Sequence, residues 1–324
     1  MSRRALRTFL AITLALGAAV PVLASASTYL LPSGSDTVIG EVQRVIAKHE
    51  DTLLDIGRTH GVGYEEIVAA NPGVDPWLPG DGTEVLIPSR YILPDAPREG
   101  IVVSLAEHRL YYFPPARAGE PLVVKTYPIS IGKMDWKTPL GRTRIINKRE
   151  RPAWYPPESV RKEHALEGNP LPKVVPPGPD NPLGEYAMRL DIPGGAYLIH
   201  GTNRPAGVGM QVTHGCIRMF PEDIAEFFKL VPVNTPVLMI DQPYKMGWQG
   251  SELYIEVHTP LQGQSSTDAH SLTNITRLLV SATQDRTIAI DWARAEKAFI
   301  RATGVPEPVV LSNQTTTALI TSEP

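Results

Sequence analysis

The chain has 324 residues, a formal net charge of −3, 42% hydrophobic residues, 32 prolines, 26 glycines and a single cysteine. That hydrophobic content and length fit about two globular units, each able to bury a core. The weakly acidic balance speaks against a nucleic-acid partner, which needs a basic face, and the proline and glycine content favours β-rich architecture with long ordered loops.

Arg3, Arg4 and Arg7 precede a short apolar run over residues 9–23, and Ala24-Ser25-Ala26 follows as a small-residue cleavage signal. The pattern predicts a secretory signal peptide over 1–26. The apolar run falls short of the roughly 20 residues of a membrane span, although an uncleaved anchor stays open. No cysteine follows the apolar run, so no lipid-modified N-terminus is expected. Export also changes the meaning of the lone cysteine, which cannot form an internal disulfide and is either buried and inert or reactive.

Residues 37–88 read as a compact unit. Asp51 or Thr52 caps a helix through Leu53, Leu54 and Ile56, and Gly61 ends it. Residues 64–70 make a second short helix, stopped before Asn71-Pro72-Gly73. A strand over 38–47 pairs with Val85-Leu86-Ile87, which gives β-α-α-β. On Asp51-Thr52-Leu53, Ile56, Gly61-Val62, Glu66-Ile67, Asn71-Pro72, Leu78, Gly80 and Leu86-Ile87-Pro88, this unit resembles the LysM module. It departs at Glu50 and Val45, where LysM usually carries glycine and often an aromatic. The resemblance implies binding of N-acetylglucosamine-containing glycan strands in a shallow groove. A spacer without glycan affinity is the alternative.

Residues 89–100, with Pro94 and Pro97, read as a linker. Residues 100–105 and 109–113 form a hairpin around Ala106-Glu107-His108. Further strands are expected over 122–131, 143–148, 186–190, 196–200, 237–240 and 253–257. Nine prolines between Pro152 and Pro182 exclude regular interiors from the 150–184 segment, and Trp154 and Tyr155 argue that it is an ordered lid. Pro221-Glu222-Asp223 opens a helix, with proline early and acids in the first turn. Two helical stretches, near 268–282 and 287–303, complete a C-terminal extension over 250–305. Residues 306–324 read as a flexible tail.

The chemistry concentrates around Cys216, in Thr213-His214-Gly215-Cys216-Ile217-Arg218, with His200 sixteen positions upstream in Ile199-His200-Gly201-Thr202-Asn203. A thiolate attacks carbonyls, and a neighbouring imidazole can take the thiol proton. Gly215 permits a tight turn that presents amides to an oxyanion. Arg218 suits a substrate carboxylate. His214 reads equally as catalytic support or as packing under the loop. His49, His60, His108, His164, His258 and His270 lack such company and read as surface or core residues. A zinc site from His200, His214 and Cys216 is a competing arrangement, but the turn at Gly215 works against it.

Residues 100–241 resemble an L,D-transpeptidase catalytic domain of the YkuD type. The signature is His200, a spacer and Thr213-His214-Gly215-Cys216. Residues 175–184, His200-Gly201-Thr202-Asn203, Cys216-Ile217-Arg218-Met219 and the strand ending at His258 bring it close to the ErfK/YbiS subgroup. The resemblance implies a mainly β fold: a β-sandwich-like catalytic domain, preceded by the small βααβ LysM unit and followed by the α-containing extension. It implies Cys216 as nucleophile, His200 as base and then acid, Gly201 as the group orienting it, and His214, Gly215 and Cys216 around the oxyanion. Thr202, Asn203, Thr213 and Arg218 would meet the substrate. It also implies a periplasmic enzyme without metal or other cofactor, acting on peptidoglycan tetrapeptide stems. The acceptor amine would belong to a second stem or to an outer-membrane lipoprotein lysine. Hydrolysis, as in an L,D-carboxypeptidase, would use the same residues. The N-terminal unit is expected to be removable without loss of chemistry on soluble stems.

Overall fold

The computed structural model describes residues 27–116, 119–134, 136–194, 197–261 and 271–311. The predicted signal peptide and the tail from residue 312 onward lie outside the described residues.

One large sheet organises the molecule. Its strands lie in the order Ser27–Leu30, Val123–Pro128, Arg109–Phe113, Gly100–Ser104, Pro236–Ile240, Gly141–Glu150, Tyr186–Leu190, Leu198–His200 and Ile217–Arg218. Neighbours run antiparallel except at two places, where Pro236–Ile240 runs parallel to Gly100–Ser104 and Leu198–His200 runs parallel to Ile217–Arg218. Successive side chains of a strand point to opposite faces. Here both faces are covered, so the central strands read as continuous apolar runs. Ile101, Val103, Tyr127, Met188, Ile199 and Ile217 pack under the Pro221–Leu230 helix through Phe227. Val102, Tyr111, Phe113 and Val124 pack on the other face against Ile39, Tyr91 and Leu93. Phe227 is fully buried, with the Tyr112 and Tyr127 rings edge-on at 5.6 and 5.0 Å. Burial of one such side chain contributes about 1.5–3 kcal/mol.

The N-terminal unit has the expected helices, Leu53–Thr59 and Tyr64–Ala70. Thr52 caps the first through a bond from the Asp55 amide. Glu66 accepts from the Gly63 amide at 2.7 Å at the start of the second, one half of a capping box. The single strand expected over 38–47 is divided. Gln43–Ile46 pairs with Glu84–Ile87, but Val38–Gly40 pairs with Arg90–Ile92. Gly40 makes the break, because its φ is +70° and a Cβ there would meet the Ser89 carbonyl oxygen at 2.1 Å.

The supposed linker is therefore structural. Tyr91, Ile92 and Leu93 are buried, and Arg90–Ile92 is a strand. Prolines at 94 and 97 only bound it. The first described strand, Ser27–Leu30, forms an edge of the main sheet against Val123–Thr126. Tyr29, Ile39, Tyr91 and Leu93 consequently share a core with the main sheet, whereas residues 45–87 pack around a core of their own, so a cut at residue 99 would remove an edge strand and part of a shared core.

The proline-rich segment also departs from expectation. It contains a nine-residue helix, Glu158–Leu166. The prolines exclude helix only where they stand, and none falls between Pro157 and Pro170. Buried Asn181 ties the segment together, donating to the Pro152 carbonyl at 2.8 Å and accepting from the Leu183 amide at 2.9 Å.

At the C-terminal end, Tyr244–Gln249, Glu252–Val257 and Glu307–Pro308 form a small sheet. The helices Leu272–Thr283 and Trp292–Arg301 cover it, capped by Ser271 and Asp291. Leu253, Ile255, Leu279, Ala298 and Val309 make its core. Fully buried Val309 corrects the reading of everything after residue 305 as loose. Lys245 joins this unit to the others, 2.9 Å from Glu107 and 2.8 Å from Glu256. Glu256 in turn accepts from the Ile92 amide at 2.6 Å. His258, read from sequence as a bystander, lies 2.6 Å from Glu256 in this network.

Candidate active site

The sixteen-residue gap between His200 and Cys216 is closed by the parallel pairing of two short strands. Ile199 lies opposite Ile217, and His200 opposite Arg218. Cys216 enters its strand from Gly215, whose φ of +96° belongs to the region that favours glycine. A Cβ at Gly215 would meet the Tyr197 ring at 3.0 Å and the Trp136 carbonyl oxygen at 3.4 Å. The turn is pinned from two sides. Thr138 accepts from the Gly132 amide at 3.0 Å and donates to the Gly215 carbonyl at 3.1 Å. Thr213 donates to the Cys216 carbonyl at 2.6 Å.

The electrostatics favour a neutral pair. His200 is 5% exposed, and its Nδ1 lies 2.6 Å from the Gly201 carbonyl oxygen. A carbonyl can only accept, so Nδ1 carries the proton and Nε2 keeps its lone pair. Burial, and then the Arg218 cation, hold the imidazole pKa down at about 3, against the Gly201 bond. Burial pushes the Cys216 thiol above its ordinary value, opposed by a backbone hydrogen bond from Leu198 and by Arg218. At neutral pH the site therefore holds a thiol and a neutral imidazole rather than a thiolate and an imidazolium.

Arg218 exchanges backbone hydrogen bonds with Ser130 at 2.8 and 3.0 Å. Its guanidinium is largely desolvated, with a buried Nε that finds no hydrogen-bond partner among the described residues. Thr202 is buried and accepts from the Arg204 amide at 2.9 Å. Asn203 is exposed and donates to the Pro179 carbonyl at 3.1 Å, which links the His200 strand to the proline-rich segment. Thr213 is 3% exposed, with its hydroxyl already committed to the loop.

His214 turns toward neighbours that sequence reasoning missed. Its Nε2 lies 2.7 Å from Glu163 on the Glu158–Leu166 helix, and the Trp136 ring stands edge-on at 5.3 Å. The other Glu163 oxygen accepts from Lys133 at 2.5 Å. The hydrogen bond from Lys133, then that from His214, hold the Glu163 carboxyl down at about 2. The described residues bring no metal-like cluster together from His200, His214 and Cys216; the one such group is Glu107, Glu256 and His258. No local signal marks Glu163, 51 positions from His214.

Because Glu163 has a folded pKa below its unfolded value, its anchoring is complete above about pH 4.5 and is lost as pH falls toward 2. Glu163→Gln is expected to release the proline-rich segment at neutral pH. Limited proteolysis within residues 150–184 should quicken severalfold, while global stability drops by less than about 1 kcal/mol, as for other solvent-accessible pairs. Unchanged cleavage would show that the segment is held without this contact.

A thiol and a neutral imidazole on adjoining strands, beside a glycine turn, are the parts that nucleophilic acyl chemistry at a thiol requires. Residues 98–239 match the YkuD family model, described as an L,D-transpeptidase catalytic domain. The chain is 40% identical to the probable L,D-transpeptidase YcfS of Escherichia coli over 80% of its own length and 81% of that protein. It is 43% identical to the probable L,D-transpeptidase YbiS of the same organism, over 76% and 78%. Among solved structures, the catalytic domain of an E. faecium L,D-transpeptidase aligns with a TM-score of 0.33 at 23% identity, covering 45% of this chain and 100% of that one. At that score the structural likeness adds nothing to the two sequence matches. The chain belongs to the L,D-transpeptidase family.

Proposed function

We propose that the protein carries out peptidoglycan L,D-transpeptidation with Cys216 as nucleophile and His200 as base. The observation that carries this reading is the His200–Gly201 hydrogen bond, which leaves Nε2 as the acceptor, on a strand paired beside that of the thiol. As the sulfur attacks the carbonyl of the L-centre of diaminopimelate in a tetrapeptide stem, the thiol proton passes to Nε2 of His200. Amides of the His214-Gly215-Cys216 turn receive the developing oxyanion. Collapse of the intermediate breaks the peptide bond, the imidazolium protonates the departing D-Ala amine, and a thioester remains. An acceptor amine then attacks, its proton goes to His200, and the thiolate leaves and is reprotonated. One amide replaces another, so the exchange itself needs no external energy source. Arg218 is suited to a substrate carboxylate, since its guanidinium lies desolvated beside the pair.

The acceptor is a second stem or a lipoprotein lysine in this reading, and the 37–88 unit holds glycan strands. Export by the 1–26 segment would deliver the enzyme to the periplasm, where both substrates lie. Hydrolysis of the thioester by water is the second outcome of the same site. Mass spectrometry of muropeptides after incubation with purified protein, with and without a lysine-containing peptide, separates the two. Only free tripeptide under every condition would overturn transfer in favour of hydrolysis.

His200→Ala is expected to lower the rate by about 10²–10⁴, the range for a lost general base. His214→Ala should cost less, because its imidazole is committed to Glu163. The reverse order would exchange their roles.

The neutral pair has its own signature. Alkylation of Cys216 by iodoacetamide should rise with pH through an apparent pKa above the ordinary thiol value, with no step near pH 6–7. Since folding lowers the His200 pKa to about 3, the unfolded chain binds the extra proton between that value and about 6.5. Stability should therefore decline as pH falls through that window. An alkylation limb at pH 6–7 would mean a preformed ion pair.

A further inference from the structure

Lys133 and His214 each follow one of two paired strands. Ile131–Gly132 runs parallel to Gln211–Thr213, with Gly132 opposite Thr213. The next residue on each strand sends its side chain to the same carboxylate. Lys133 reaches one Glu163 oxygen at 2.5 Å, and His214 Nε2 lies 2.7 Å from the other. An ionised carboxylate only accepts, so His214 Nε2 carries a proton and donates it. Glu163 stands on the Glu158–Leu166 helix, so the proline-rich segment grips the catalytic turn at this point.

The backbone of the turn is held from the other side. The Lys133 amide donates to the Thr213 carbonyl at 2.9 Å, and a Cβ on Gly132 would lie 3.0 Å from the Gly215 Cα. The Gly215 amide, by contrast, donates to none of the described residues, which leaves it for an oxyanion. Its direction depends on the backbone of His214 and Gly215. Glycine has no side chain with which to fix that direction. The His214 imidazole is therefore the handle. The Trp136 ring bounds it edge-on at 5.3 Å, and Glu163 supplies the directed bond.

We propose that Glu163 is a positioning residue for acyl transfer: by fixing the His214 imidazole it holds the Gly215 amide where the oxyanion forms. The inference rests on the catalytic reading above and adds a residue from outside the Thr-His-Gly-Cys motif. It gives His214 a mechanical part rather than an acid–base one. A donor aimed in advance stabilises the charge that develops in the transition state and contributes little to ground-state binding. Its loss is therefore read in kcat rather than in KM.

The test uses the chain from residue 27 onward, a soluble tetrapeptide donor and a lysine-containing acceptor peptide. Glu163→Ala and His214→Ala should each lower kcat about tenfold, with the donor KM unchanged within about twofold. The double variant should be no slower than the slower single, because both break one link. His214→Gln keeps an amide N–H to donate to Glu163 and should recover most of the rate lost in His214→Ala. In a Glu163→Ala background that recovery should vanish. Alkylation of Cys216 by iodoacetamide needs no oxyanion, so its rate and pH profile should be the same in Glu163→Ala as in the wild type. The two side chains are each 29% exposed, so truncation is tolerated, and melting curves with circular dichroism establish that each variant is folded. Wild-type kcat in Glu163→Ala would overturn the proposal. So would additive losses in the double variant, a raised KM in place of a lowered kcat, slowed alkylation, or a His214→Gln protein as slow as His214→Ala. Cys216-dependent transfer by the wild type is measured in parallel, and the catalytic reading stands on it even where the assignment of Glu163 falls.

Discussion

Cys216→Ala should abolish acyl transfer to below detection while leaving the protein folded. The thiol is partly buried just before the edge strand Ile217–Arg218, and the substitution removes one sulfur without introducing a polar atom. The surrounding turn is held by backbone bonds from Thr138 and Thr213 that do not involve the thiol. A loss of about 1 kcal/mol in stability is the scale for a small buried truncation. His200 can still bind and orient but has no proton to take, so both half-reactions stop. Muropeptide analysis alongside a melting curve checks both halves. Residual transfer by a folded Cys216→Ala protein would end the thioester mechanism.

The largest effect on stability is expected at Arg109. Its side chain is fully buried, with Nε 2.7 Å and a terminal nitrogen 2.9 Å from the two Glu66 oxygens. The remaining donors reach Thr126 at 2.9 Å and the Gly61 carbonyl at 3.0 Å, and the guanidinium lies 4.3 Å from the Tyr91 ring centre. Arg109 stands on a central sheet strand, whereas Glu66 and Gly61 belong to the N-terminal unit, so the pair fastens the two together. Breaking a buried pair leaves one desolvated charge alone, and about 3–5 kcal/mol is the usual cost. Arg109→Leu and Glu66→Leu should each lose that much in urea unfolding. The double variant Arg109→Leu with Glu66→Leu should lose much less than the two singles together, because neither charge remains. Single losses below about 1 kcal/mol would show that the units are held by apolar contact alone. Since Glu66 also fixes the start of the helix that carries the His200–Thr213 loop, the singles should lower activity on soluble stems as well.

Sequence reading was most successful where the signal is local. Thr52 as a cap, the break after Ala70, the hairpin around Glu107 and the proline-led helix at Pro221 are each decided by neighbours within a few residues. It went astray where a local signal was extended too far. Prolines at 152–157 and 170–182 say nothing about the twelve residues between them, and a helix forms there. Pro94 and Pro97 made a buried strand look like a linker, although Tyr91-Ile92-Leu93 is an apolar run.

The order of residues by itself determined the reactive group, its motif, the glycine turn and the family that these define. A lone thiol set in Thr-His-Gly-Cys is a chemical statement that needs no coordinates. Tertiary structure alone decided which histidine neighbours the thiol strand, through the parallel register of Ile199 with Ile217. It alone joined His214 to Glu163 and Arg109 to Glu66, and set Ser27–Leu30 at the edge of the main sheet. The reason is physical. Caps, turns and strand alternation are settled by dihedral preferences and contacts a few residues apart. Parallel pairing and buried ion pairs join groups tens of residues apart, and their energy exists only once the intervening chain has folded and removed them from water.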